Sequence, residues 1–427
     1  MLRILLFVAA VVYIQALPAE TPVEVPVESP AETPKDFHEL PKVSPVEEND
    51  KFSRFPSVTE MIESYGYPVE THVAQTADGY LLTLHRIPYG RAPGAGPAPN
   101  KNVVFLQHGL LCSSADWVVI GPENGLAYLL ADQGYDVWMG NARGNTHSRA
   151  HISINPDRRA FWDFSWHEIG IFDLPAMIDY VERQTGRRRI HYVGHSQGTT
   201  SLFIMLSLRP EYNDRILSAH ALAPVAFMNN LRSPFVRAFA PFVDSLDTIT
   251  SLLGMNEFMP SNSMMQMGGY LTCRDSSPFQ EVCSNVLFLI AGFNSEQLNR
   301  TQLPAIMANT PAGAATRQLV HYGQLYNSGH FRQFDHGRIG NWQEYGSFSP
   351  PDYPLDRITA PIALHFSDND WLAAVVDVQR LRSQLRNVIG AFRVPLPAFN
   401  HLDFQWAIDI RPLVYNRVIS LIDRFND

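Results

Sequence analysis

Ile190-His191-Tyr192-Val193-Gly194-His195-Ser196-Gln197-Gly198-Thr199-Thr200 decides the reading of this 427-residue chain. An apolar run leads straight into Gly-x-Ser-x-Gly, and small residues follow it as they do at a helix start. So sharp a strand-to-helix turn puts the serine at strained backbone angles, and the flanking glycines leave room where side chains would collide. The serine oxygen is then presented at the carboxyl edge of a sheet, above a helix N-terminus. The dipole and free N–H groups there favour a developing negative charge. The five-residue pattern alone is common; the strand before it and the helix after it give it weight.

Outward from this turn the texture is α/β. Val103-Val104-Phe105-Leu106, Tyr135-Asp136-Val137-Trp138 and Pro361-Ile362-Ala363-Leu364-His365-Phe366 are short, nearly continuous apolar runs, as strands buried on both faces require. Ile171, Leu174, Ile178 and Val181 recur at helical spacing, with Pro175 a kink and Gly186 the stop. Strands alternating with helices predict a mostly parallel central sheet flanked by helices. Ahead of it, Ser57-Val58-Thr59-Glu60 reads as a capping box opening a short helix through Glu63. The alternating runs Glu70–Thr76 and Tyr80–Ile87 flank Ala77-Asp78-Gly79 as a hairpin. Residues 227–350 break the rhythm, and an insertion of that length between βα units predicts an inserted cap or lid. Met255, Met259, Met264, Met265 and Met267 crowd into it; they suit a surface adapting to acyl chains and equally suit ordinary packing.

The candidate partners of Ser196 come in a telling order. Leu106-Gln107-His108-Gly109-Leu110-Leu111 ends an earlier strand, and Leu110 is the candidate second oxyanion donor beside Gln197, the residue after the serine. An acid and then a histidine must follow. Ser367-Asp368-Asn369-Asp370 after the strand ending at Phe366 offers two aspartates. His401 follows the strand-like Ala391–Val394 and is the only histidine beyond His365, which lies within a strand. Order, spacing and strand-end placement predict a serine hydrolase.

The termini and composition set the context. Met1-Leu2-Arg3 and the apolar run Ile4–Ile14 read as a secretory signal over residues 1–16, ending at Ala16; eleven apolar residues are too short to span a bilayer. Residues 17–52 are acidic, with proline at every fourth position from Pro18 to Pro34, and predict an extended spacer or propeptide. Residues 17–50 hold nine acids and two lysines, most of the formal net charge of −9. The globular remainder is nearly neutral and has no footprint for a nucleic-acid partner. Cys273 and Cys283 close a short loop and leave Cys112 over, which suits an exported chain. Asn299-Arg300-Thr301 is the one glycosylation sequon. His147 and His151 stand four apart without an acidic ligand pattern, so no metal is implied; nor is an organic cofactor, since phosphate and dinucleotide loops are missing.

With these residues in view, the chain resembles the acid lipase family of gastric, lingual and lysosomal enzymes. The likeness runs from about Val58 to the C-terminus. It includes Gly66-Tyr67-Pro68, Asp78-Gly79-Tyr80, Arg86-Ile87-Pro88-Tyr89-Gly90, Gln107-His108-Gly109-Leu110-Leu111, Gly134-Tyr135-Asp136-Val137-Trp138, Gly140-Asn141, Arg143-Gly144-Asn145, Gly194-His195-Ser196-Gln197-Gly198 and His401-Leu402-Asp403-Phe404. The resemblance implies an α/β-hydrolase fold with a cap and a movable lid, its core divided into residues 53–226 and 351–427. It implies Ser196 as nucleophile, Asp370 as acid, His401 as base, Leu110 and Gln197 as oxyanion donors, and a Cys273–Cys283 disulfide. Triacylglycerols, and cholesteryl esters as in the lysosomal members, would be the substrates, met at an oil–water interface. Two departures stand out: the family's glycine-rich approach to the acid is Ser367-Asp368-Asn369 here, and Ala291 replaces a free cysteine of the mammalian enzymes. The expectation is a secreted lipase rather than a lysosomal one. A carboxylesterase of broader soluble-ester range is the alternative, a non-catalytic lipid binder a more remote one, and a peptidase on the same fold another.

Overall fold

The structure, a computed structural model, describes residues 55–243, 255–261, 263–275 and 277–426. The expected leader over 1–16 and the acidic segment over 17–52 lie outside the described residues.

The described residues form strands β1 (Glu70–Gln75), β2 (Tyr80–Ile87), β3 (Val103–Gln107), β4 (Asp136–Gly140), β5 (Ala150–His151), β6 (Ile190–His195), β7 (Ile216–Leu222), β8 (Glu257–Phe258), β9 (Ala314–Ala315), β10 (Ile362–Phe366) and β11 (Val388–Arg393). The main sheet runs β1-β2-β4-β3-β6-β7-β10-β11, with β5 also paired to β2. From β4 to β11 every pairing is parallel, while β1 and β2 are antiparallel additions. Every residue of β3, β4, β6, β7 and β10 is buried, as the unbroken apolar runs require of a sheet covered on both faces. The expected hairpin is β1–β2, registered Glu70 on Arg86 through Gln75 on Leu81. The capping box at Ser57 is formed, opening the Val58–Ser64 helix.

Two local readings change. The helical run around Pro175 begins as a π turn over Ile169–Asp173 and becomes regular at Leu174–Thr185, where Gly186 ends it in the left-handed region. Proline has no N–H to place, so the irregularity falls in the turn ahead of it rather than as a mid-helix kink. His147 lies in a turn and His151 in β5, so their spacing puts them on no common helix face.

Residues 227–350 carry helices at Pro234–Phe239, Ser263–Cys273, Gln280–Ala291, Leu303–Asn309, Thr316–Ser328 and Gly337–Tyr345, together with the β8–β9 ribbon. Ile306, Ala315, Tyr322, Leu325 and Phe331 from this insertion join the same apolar core as the sheet. Met255, Met259, Met265 and Met267 are all partly buried. Cys273 and Cys283 are disulfide-bonded. Among the described residues no helix is long and apolar enough to cross a membrane.

β3 lies between β4 and β6, so the chain leaves it toward one side of the sheet and later returns on the other. Such a switch opens a crevice outside the carboxyl ends of the strands. The loops after β3, β6, β10 and β11 all meet there.

Candidate active site

Ser196 follows β6 directly and precedes the Gln197–Leu208 helix, with φ 50° and ψ −116°. A β-carbon added at Gly194 would come within 2.8 Å of the Gly198 carbonyl carbon, and one at Gly198 within 2.4 Å of the Gln107 carbonyl oxygen. Both glycines are therefore demanded by packing: strand, turn and helix press against each other and against the end of β3. Ser196 N–H donates to the Leu222 carbonyl at 3.0 Å, and Tyr192 Oη–H donates to the Gly198 carbonyl at 2.8 Å, which fixes the turn. These bonds hold a non-glycine residue at a costly positive φ.

Ser196, His401 and one of the two candidate aspartates meet here. Ser196 Oγ lies 2.8 Å from His401 Nε2, and His401 Nδ1 lies 2.8 and 3.0 Å from the two carboxylate oxygens of Asp370. A carboxylate only accepts, so the proton sits on Nδ1 and Nε2 is free to accept from the serine hydroxyl. Asp370 Oδ1 also accepts from the backbone N–H of Leu372 at 2.8 Å and of Ala373 at 2.7 Å. Burial pushes the Asp370 carboxyl up, but the charge and hydrogen bond of His401 and these two N–H groups outweigh it and hold it below its usual value. Asp370 and His401 are almost fully buried, Ser196 partly so.

Asp368 is turned away. Its carboxylate pairs with Arg393 on β11, and its carbonyl accepts from Arg232 Nη2 at 2.6 Å. The choice the sequence left between the two aspartates is thus made by direction: only Asp370 points inward.

The loop after β3 lies beside Ser196. A β-carbon on Gly109 would stand 3.1 Å from Ser196 Cβ and 3.2 Å from His195 Nδ1, a tight fit that glycine avoids. Leu110 follows it, and Gln197, as first residue of its helix, has an N–H without an intrahelical acceptor. Beneath them, His108 Nδ1–H donates to the Gly109 carbonyl at 2.8 Å, while its Nε2 accepts from Ala142 N–H at 3.0 Å and Asn145 Nδ2 at 3.2 Å. That assigns a neutral ring, and burial pushes it down to about 4. Leu111 is left-handed, with φ 61°, and its carbonyl accepts from Ala312 N–H of the insertion at 2.7 Å. Cys112, the leftover cysteine, is buried and its thiol is pushed well above its usual value by burial.

Three further groups were not legible beforehand. His195 Nε2 lies 3.0 Å from the His401 carbonyl, bracing the base from behind. Gln197 Nε2 donates at 2.7 Å to Gln318 Oε1 on the Thr316–Ser328 helix of the insertion. Asn400, next to His401, is engaged at all three of its polar groups, as described below. The Asn299 side chain is partly buried and its Oδ1 accepts from Thr301 and Gln302 N–H.

Residues 58–121 match the family described as the partial alpha/beta-hydrolase lipase region, and residues 102–247 match the alpha/beta hydrolase fold. Lipase 3 of Drosophila melanogaster is 50% identical over 366 residues, covering 86% of this chain and 92% of that protein. The chain belongs to the acid lipase family. Gastric triacylglycerol lipase of Homo sapiens is 40% identical over 86% of this chain and 90% of its own. Lysosomal acid lipase/cholesteryl ester hydrolase of Homo sapiens is 38% identical over 86% and 91%. A solved structure from Sulfolobus solfataricus shares the fold at a TM-score of 0.56 and 14% identity, over 84% of this chain and 99% of that one. In this acid lipase the strand-end residues marked by the sequence therefore sit on the fold expected of them.

Proposed function

We propose that the protein is a secreted lipase that hydrolyses carboxylic esters of neutral lipids through an acyl-serine intermediate. The observation that carries this is the hydrogen-bonded chain Ser196–His401–Asp370 at the carboxyl edge of the sheet, in a chain half identical to a lipase over most of its length.

Ser196 Oγ attacks the ester carbonyl as its proton passes to His401 Nε2, and Asp370 stabilises the resulting imidazolium. The backbone N–H groups of Leu110 and Gln197 take the developing oxyanion; losing one such donor costs about 3–4 kcal/mol of transition-state stabilisation. His401 returns the proton to the departing alcohol, leaving the acyl-serine. Water, deprotonated by the same imidazole, then releases the fatty acid. No cofactor enters these steps.

Triacylglycerols are the substrate class, with cholesteryl esters second, as the relatives' names suggest for this chain. Residues 227–350 act as the cap. Phe242, Phe279, Val282 and Phe293 are each about half exposed or more, and they support contact with an oil surface. The leader over 1–16 and the Cys273–Cys283 bridge support export, and Asn299 is the glycan acceptor.

The test is fatty-acid release from emulsified triolein and a cholesteryl ester between pH 4 and 8, wild type beside Ser196→Ala. Release that disappears in the variant is expected. A folded wild type that hydrolyses neither lipid at any pH, and only short soluble esters, would replace the lipase with the carboxylesterase.

A further inference from the structure

Four consecutive residues at the end of the Gln280–Ala291 helix each grip a loop of the site, although they belong to the insertion. The Ala291 carbonyl accepts from Trp371 N–H at 3.1 Å, next to Asp370, and from His401 N–H at 3.4 Å. The Gly292 carbonyl accepts from Asn400 Nδ2 at 2.9 Å. The Phe293 carbonyl accepts from Asn369 Nδ2 at 2.7 Å, and the same amide donates to the Ala398 carbonyl at 2.9 Å. Asn294 Nδ2 donates to Asp403 Oδ2 at 2.6 Å. The acid loop and the base loop are thus held by one short piece of backbone, and Asn369 ties them to each other as well.

Gly292 makes the grip possible. Its φ is 117°, and a β-carbon there would fall 2.2 Å from the Asn369 carbonyl oxygen. No side chain fits between this backbone and the acid loop.

Asn294 closes the grip on the base side. Asp403 Oδ2 also accepts from Asn400 N–H at 2.7 Å, while Asn400 Oδ1 accepts from Leu402 N–H at 2.9 Å and Asp403 N–H at 3.0 Å. These reciprocal bonds fold residues 400–403 into a single turn, and His401 is inside it. Asn294 is 5% exposed and Asp403 also 5%, so the contact is made away from water, where its loss is felt most. Among the described residues, Ser196 is not a hydrogen-bond partner of either side chain.

We propose that Ala291–Asn294 is a clasp that sets the relative position of Asp370 and His401, and that Asn294 is a positioning residue acting on His401 through Asp403 and Asn400. The proposal rests on the reading of Ser196, Asp370 and His401 given above. It assigns the insertion a part in the chemical step itself, separate from covering the site.

The experiment uses the full-length protein and two soluble reagents. p-Nitrophenyl butyrate gives kcat and KM; diethyl p-nitrophenyl phosphate, an uncharged triester, gives the rate at which the nucleophile is phosphorylated, with mass spectrometry locating the label. Asn294→Leu keeps the volume and removes the donor. It should lower kcat and the phosphorylation rate together by about ten- to hundredfold, as small misplacements of reacting groups do. KM should stay unchanged, because no substrate contact is lost. Should Asn294→Leu not fold, Asn294→Asp against the exchange Asn294→Asp with Asp403→Asn decides. The single change sets two carboxyl groups against each other and should depress kcat at pH 9, where both lose their protons. The exchange moves the carboxylate to 294 and the amide to 403, restoring one N–H···O contact and an acceptor for Asn400, and should recover it.

A folded Asn294→Leu with wild-type kcat, or an exchange no better than Asn294→Asp alone, would overturn the clasp while a label on Ser196 upheld the nucleophile. A label found elsewhere than Ser196 would instead overturn the reading on which the clasp rests.

Discussion

Asp370→Asn is the substitution whose outcome the geometry fixes most tightly. The carboxylate receives the His401 Nδ1 proton, and its Oδ1 receives two backbone N–H groups at 2.7 and 2.8 Å. An amide of the same shape must keep its oxygen where those two donors point. Its nitrogen then occupies the place of Oδ2, 2.8 Å from His401 Nδ1, and can only donate. Nδ1 lies 3.0 Å from the retained oxygen but nearer, at 2.8 Å, to the new N–H donor, which favours Nδ1 as the acceptor and the ring proton on Nε2. Nε2 faces Ser196 Oγ at 2.8 Å and can no longer take its proton. A serine–histidine pair in the wrong tautomer loses about 10⁴ in kcat, or about 5.5 kcal/mol of barrier. The oxyanion donors are untouched, so activity well above the uncatalysed rate should persist. The assay is kcat and KM on p-nitrophenyl butyrate at pH 7, with circular dichroism to confirm the fold. A folded Asp370→Asn within tenfold of wild type would refute the tautomer argument and with it the place of Asp370.

Three other outcomes follow from the same structure. Asp368→Asn, which breaks only the pair with Arg393, should leave kcat within about twofold, since exposed pairs contribute little; a loss beyond tenfold would return Asp368 to candidacy. Gly109→Ala places a methyl 3.1 Å from Ser196 Cβ and should cut kcat about tenfold or more without shifting the melting point comparably, and wild-type turnover would show that the loop is free to retreat. The third concerns acid stability. Burial pushes His85, His195 and His365 down to about 3 and His108 to about 4, and holds His220 and His321 well below the ordinary value. These rings stay neutral in the fold but protonate in the unfolded chain below about 6.5, so each removes about 1.4 kcal/mol of stability per pH unit as pH falls toward 4. Burial raises Asp116 and Asp173 to about 6 and Asp403 to about 7, which has the opposite sign over the same window. With His147, which burial also pushes down to about 4, the histidines outnumber the carboxyls, and the melting point at pH 4.5 should lie about 10 °C below that at pH 7. A melting point that holds level or rises on acidification would contradict this.

The parts of the site that were legible in the sequence are those built from neighbours in the chain. Gly194-His195-Ser196-Gln197-Gly198 carries its own steric reason, and the order of Ser196, Asp370 and His401 follows from strands that end in the same crevice. β7 escaped notice because its central residues look wrong for a buried strand. Ser218 and His220 are buried there, and Ser218 Oγ lies 2.8 Å from His191 Nδ1 on β6 and 3.1 Å from His220 Nε2 on its own strand. Polar groups bonded within and across strands in this way remove the apolar signature of a buried strand. Asn294 was illegible for a different reason. It meets Asp403 across more than a hundred residues through a single side-chain bond, and no local pattern announces such a partner. Asp368 and Asp370 could be ranked from the family likeness but not from their spacing; the backbone direction after β10 separates them.

The insertion reaches the reaction centre from several places: Arg232 and Ser233 to the acid loop, Ala291–Asn294 to the acid and base loops, Ala312 to the loop after β3, and Gln318 to Gln197. This bears on how chimeras of such enzymes should be cut. Grafting the whole of 227–350 from another lipase to import its substrate range would import foreign scaffolding for the reacting groups as well, and a drop in turnover would be misread as poor substrate fit. Crossover points that leave 232–233, 291–294, 312 and 318 with the recipient would let specificity be transplanted while the catalytic frame stays native.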